Sequence, residues 1–345
     1  MKNLNATVCG LITLVLIIPL LAQAHSGPWE MEASNSTAGL RGVHAVGAET
    51  VWASGTGGTV LRSQDGGHDW QTCATPAGGE KLDFRAIWAW DANHAFVLSS
   101  GPGELSRLYR TDDGCSHWAL VMTNPDPNGF WDGLLFINRH YGLIYGDPTV
   151  NEARTPEGHL LETHDGGSTW ARAVLPAEPF FAASNSSMAN FEGAIWAGTG
   201  NAHVLRKKAD GGWEVIPTPL ASGNDASGVF SLAFRDPERG VAVGGDYRKP
   251  EETAGTAAFS SDGGAHWSAA SKLPHGFRSA VAWDAAQKAW IAAGTNGSDI
   301  SYDDGKTWQW LDSGSWNALS LPWVVGPKGR IGKLGTLPTA ARVSR

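Results

Sequence analysis

The sequence predicts an all-β fold made of one repeated four-stranded unit, and three observations carry that expectation. The first is a returning turn. "SQDGGHDW" at 63–70 comes back as "TDDGCSHW" (111–118), "THDGGSTW" (163–170), "SSDGGAHW" (260–267) and "SYDDGKTW" (301–308), with a shortened "KADGGW" at 208–213. The second is the period. The tryptophans at 70, 118, 170, 213, 267 and 308 lie 48, 52, 43, 54 and 41 residues apart, a spacing that suits the blades of a β-propeller. The third is composition: 44 Gly and 17 Trp with only 17% charged residues suit short strands and tight turns.

The elements follow in chain order. Lys2, an apolar run from Val8 to Leu21 and then "AQAHS" describe a secretory signal peptide, with the cut expected after Ala24. The run is short for a membrane span and contains Pro19. Cys9 sits early in it rather than at the break, which argues against lipoprotein cleavage. Residues 25–345 are expected to form one secreted or periplasmic domain, monomeric and without stable membrane insertion. Removing Lys2 takes the net charge from −8 to −9, with 34 acidic side chains remaining. Phosphate neutralisation needs basic surface, so nucleic acid is not the expected partner.

Each unit reads as "AIWAW", turn, "AFVLSS", loop, "RLYRT", the repeated turn, and a strand that begins at the Trp. The turn lies between third and fourth strands. Asp65, Asp113, Asp165, Asp262 and Asp303 can accept backbone N–H bonds across it. The glycines allow positive φ, and Trp70, Trp118, Trp170, Trp267 and Trp308 cover apolar ground between layers. These residues have a structural role that requires no catalysis. A seventh unit starts at 316–334 without a motif or fourth strand. Trp29 in "GPWEMEAS" stands in the phase of that missing strand, so the two termini should close a seven-bladed ring. Cys73 and Cys115 fall near one rim, and in an oxidising compartment an even pair can form a disulfide.

The signature S/T-x-D-x-G-x-x-W, repeated about every 45 residues after a signal peptide, resembles the Asp-box (BNR) photosystem II assembly and stability factors and their bacterial relatives. More distantly it is similar to sialidase-type propellers. The first resemblance implies a seven-bladed scaffold that binds a partner protein. The second implies a glycoside hydrolase as the alternative.

Chemistry is expected on the face opposite the repeated turns. Aligning the innermost strands gives a column: Arg41, Arg85, Asp132, Asn185, Phe230, Arg278 and Asn317. Asp147, Asp246, Tyr247, Asn296, Asp299 and Lys328 lie in loops on the same face. This reads as a polar funnel, with Arg41, Arg85, Arg278 and Lys328 on a basic side and Asp132, Asp147 and Asp246 on an acidic one. Guanidinium groups grip carboxylates in fork geometry, so a protein partner or an anionic small molecule is the expected ligand. If the chain were a hydrolase, Asp132, Asp246 and Tyr247 would be its candidates, since glycosidases need paired carboxylates or an equivalent nucleophile. No cofactor is expected: "GTGGTV" lacks the dinucleotide spacing. The histidines do not pair with cysteine at metal-ligand spacing, so no metal is expected either.

Overall fold

A computed structural model describes residues 27–337; the proposed signal peptide lies outside them. The strands group into seven four-stranded antiparallel sheets. Six sheets use four strands consecutive in sequence. Their innermost strands are Leu40–Val46, Phe84–Ala89, Trp131–Phe136, Met188–Phe191, Ser227–Phe234 and Ala280–Asp284. The seventh begins at Ala318–Ser320, and its outer strand is Trp29–Glu32 from the other end of the chain. Trp29 pairs with Leu334 and Glu32 with Ile331, so the predicted closure by both termini is present. Inner strands of neighbouring blades lie side by side all the way round, including the seventh against the first. The molecule is a seven-bladed β-propeller.

Its core is seven separate apolar layers, one between each pair of neighbouring blades. Trp52, Val60, Ile87 and Val97 fill the layer between the first two blades, and Val51, Leu61, Trp70 and Trp323 the layer between the seventh and first. The repeated turns explain how the layers are capped. In the first turn the Ser63 hydroxyl donates to Asp65 (2.7 Å) and accepts from the Gly67 N–H (2.9 Å). The Asp65 carboxylate accepts from the Asp69 N–H (3.0 Å). The same bonds recur around Asp113, Asp165, Asp262 and Asp303. With its turn thus fixed, each Trp reaches the layer shared with the preceding blade. Trp70 meets Trp323 edge to face, with centroids 5.8 Å apart.

The second turn differs. Where the first, third, fifth and sixth units carry Gly67, Gly167, Gly264 and Gly305, the second carries Cys115, also at positive φ (68°). Cys115 is bonded to Cys73 of the first blade, with Cα atoms 5.3 Å apart. The expected disulfide is therefore present, staples two blades and is almost wholly buried.

Candidate functional site

Four members of the predicted column share one backbone cause. The pairing of the inner strand with its neighbour skips a residue at Arg41, Arg85, Asp132 and Phe230. A bulged residue has no ladder partner and bends its strand. Here it turns the side chain into the mouth of the ring. These four residues and Asn317 line a cavity of about 910 Å³.

Two members of the column, Arg278 and Asn185, and the loop residue Lys328 are elsewhere. Arg278 is fully enclosed. Its backbone N–H donates to Gly244 of the preceding blade, as those of Leu40, Val229 and Trp316 do to their preceding blades. Arg278 thus occupies the buried position of the strand start, and Ser279, one residue on, faces the cavity. The guanidinium is spent on Asp299 (2.7 Å from Nε, with Nη2 bonding the same oxygen), the Phe277 carbonyl and Asn296. Asn185 has a left-handed backbone (φ 58°) and accepts from the Leu134 N–H (2.8 Å), so it braces the third blade instead. Lys328 is exposed in a turn and is not on the cavity wall.

The segment 180–186 ahead of the fourth blade's inner strand crosses the central channel. Arg85 donates to the Ala182 carbonyl (3.2 Å), Ser184 to the Ser279 carbonyl (2.7 Å), and Ser186 bonds Ser231 (2.8 Å). These contacts tie it to the second, sixth and fifth blades. It forms the cavity floor through Ala182 and Ala183 and brings Phe180 and Phe181 to the wall. Phe181 stacks on Phe230 at 3.7 Å, and Phe277 meets Phe230 edge-on at 4.7 Å. Sequence reasoning missed this aromatic wall. A signal existed: Phe130 and Phe277 each lie two residues before a cavity-facing residue, and Phe180 and Phe181 form an adjacent pair.

The charges are uneven in their satisfaction. Arg85 is paired with Asp83 (2.7 Å) and Asp225 with Arg248 (2.7 Å). Arg41 is not paired: its Nε is buried without an acceptor. Burial and then the nearby Arg85 charge pull its pKa down, so a bound anion would relieve an existing cost. Asp132 is 2% exposed, with one carboxylate oxygen unpartnered. Burial first and then Asp147 push its pKa well above the usual carboxylate range, offset only in part by Arg85. Burial also raises Asp147. Tyr247 lines the cavity. Asp246 does not; its oxygens are taken by Asn224 (3.2 Å) and the Arg248 N–H (2.9 Å).

No family model matches the chain. A photosystem II assembly lipoprotein Ycf48 from Synechococcus sp. is 26% identical over 208 residues, covering 59% of this chain and 55% of the relative. Its namesake from Prochlorococcus marinus is 27% identical over 194 residues, covering 55% and 52%. The chain resembles the Ycf48 proteins. It spans about half the length of these curated relatives. Among solved structures, YCF48 bound to D1 peptide superposes with a TM-score of 0.64 at 16% identity, covering 90% of this chain and 98% of that one. YCF48 from Cyanidioschyzon merolae gives 0.62 at 17%, covering 89% and 98%. At those identities the likeness to Ycf48 structures shows the fold. A xyloglucanase from Paenibacillus sp. is 24% identical over 233 residues, covering 58% of this chain but 22% of the enzyme.

Proposed function

We propose that this protein is an exported, non-catalytic scaffold that holds a partner protein at the mouth of its ring, in the manner of a photosystem II assembly factor. The observation that carries this is the unpaired Arg41 in one cavity with the Phe180, Phe181 and Phe230 wall. It offers a donor for a carboxylate next to apolar surface for a side chain, the pairing of a buried polar anchor with aromatic area found at peptide sites. The Ycf48 resemblance supports the class of role. Export rests on the reading of residues 1–24. Of the candidates of the competing glycoside hydrolase, Asp132 and Tyr247 line the cavity and Asp246 does not, so its carboxylate pair is not assembled there.

The test is a matched peptide pair, one with a free terminal carboxylate behind two apolar residues and one amidated, titrated by fluorescence anisotropy. The free carboxylate form is expected to bind more tightly, and Arg41→Ala to cost it about 1–3 kcal/mol. Equal affinity for the two peptides, or no effect of Arg41→Ala, sinks the reading. Turnover of xyloglucan or a sialoside that vanishes in Asp132→Asn would replace it with the hydrolase.

A further inference from the structure

The scaffold reading uses one side of the cavity, the arginine side. The other side holds a second unsatisfied feature. Asp132 is the bulged residue of the third blade's inner strand, and Asp147 follows Gly146, the last residue of the neighbouring strand paired with it, in an irregular stretch before Thr149. Both line the cavity. One oxygen of Asp147 accepts the Phe180 N–H (3.0 Å), and no hydrogen bond holds the other. Behind it stands Asp132, with its own unpartnered oxygen. The positive group nearest to Asp132 is Arg85, whose charge is already committed to Asp83.

Once the internal pairs are set aside, the wall therefore presents, among the described residues, one open cation, Arg41, and one open acidic pair. Aromatic rings line the same cavity. An occupant bearing only a negative charge would leave the acidic pair as it is. An occupant bearing both charges would satisfy both sides. Resting on the scaffold reading for Arg41, we propose that Asp147, backed by Asp132, is a cation subsite. The cavity then takes a dipolar segment, its carboxylate on Arg41 and an ammonium or guanidinium group on Asp147, with the apolar body against the phenylalanine wall.

The proton inventory gives this a signature that a merely structural acid pair lacks. Asp132 is faced by Asp147, by Tyr145, which burial keeps neutral, and by Arg85, with Arg41 and Asp83 behind Arg85. A carboxyl whose pKa is raised by burial and a like neighbour is driven toward its ionised form when a cation arrives. Binding of a cation should thus release a proton.

Three small probes separate the two subsites by calorimetry at pH 7.5: benzoate, benzylamine and 4-(aminomethyl)benzoate. The dipolar probe is expected to bind at least tenfold more tightly than benzoate. Asp147→Asn should remove that advantage and leave benzoate unchanged; the Asn oxygen can still accept the Phe180 N–H, so the wall keeps its shape. Benzylamine should bind with proton release, read from buffers of different ionisation heat, and Asp132→Asn should abolish the release. Arg41→Ala should weaken benzoate but not benzylamine. Equal binding of benzoate and the dipolar probe, or an Asp147→Asn variant that keeps the tenfold advantage, overturns the cation subsite. Loss of benzoate binding alone would instead remove the arginine side, and with it the scaffold reading.

Discussion

Arg278 and Asp299 have no solvent exposure, and the His275 ring completes the group at 2.6 Å from Asp299. Breaking such a pair from one side leaves a buried charge alone. Arg278→Ala should lower stability by about 3–5 kcal/mol in urea unfolding, while folded protein keeps its affinity for the benzoate probe. A loss of affinity without a loss of stability would return Arg278 to the binding site. His44 supplies a pH effect of opposite origin. It is packed against Trp88 with centroids 4.3 Å apart, and burial lowers its pKa to about 4. The unfolded chain then takes up the proton first, from its ordinary value near 6.5. Stability present above pH 6.5 should fall progressively toward pH 4, by on the order of 3 kcal/mol for this residue. His44→Gln should flatten that slope in urea titrations across the window; an unchanged slope would show that His44 is not its source. Why Arg278 misled and Arg41 did not is visible at this scale. Both are arginines beside an apolar run, and one residue of strand phase decides which faces the cavity.

The repeated turn is the element whose meaning the sequence carried most fully, because its bonds are local. Ser63, Asp65 and Trp70 act within eight residues, so spacing alone implied them. What spacing could not show is the neighbour. A Cβ on Gly67 would fall inside the Trp323 ring of the seventh blade, whereas one on Gly66 meets nothing closer than 3.6 Å. Both have positive φ, 95° and 71°. Gly66→Ala should cost about 1–2 kcal/mol for the backbone alone. Gly67→Ala should cost that and the displaced ring as well, so its urea midpoint should be clearly the lower of the two. Equal midpoints would mean that Trp323 moves aside freely. The same comparison gives Cys115 its place. It occupies the Gly67 position of the one motif-bearing unit where the side chain has somewhere to go, the sulfur of Cys73. The floor segment 180–186 was not legible, because its bonds join blades far apart in the chain.

At the scale of the whole molecule, the ring was legible because its period survives every change of loop length. The site was half legible: the bulges follow the period, but the wall from Phe130, Phe180, Phe181 and Phe277 comes from the connections between blades. Closure makes a prediction of its own. Besides the strand pairing, Trp29 donates to Ser298 (3.0 Å) and Ser34 to the Gly329 carbonyl (2.6 Å). Removing residues 27–36 should expose the edge of Ile331–Leu334 and lower Tm by several degrees or cause aggregation. An unchanged Tm in a soluble variant would mean that six blades and a fragment suffice.

The floor built by residues 180–186 also settles how a long chain could be held. A propeller with an open axis can be threaded, and a strand could slide through it from one face to the other. With Ala182 tied to Arg85 and Ser184 to Ser279, this segment stands in the way of such threading. Under the scaffold proposal, a bound chain would then have to offer an end or a sharp bend, and would leave by the way it came, its residence time set by one exit rather than by passage.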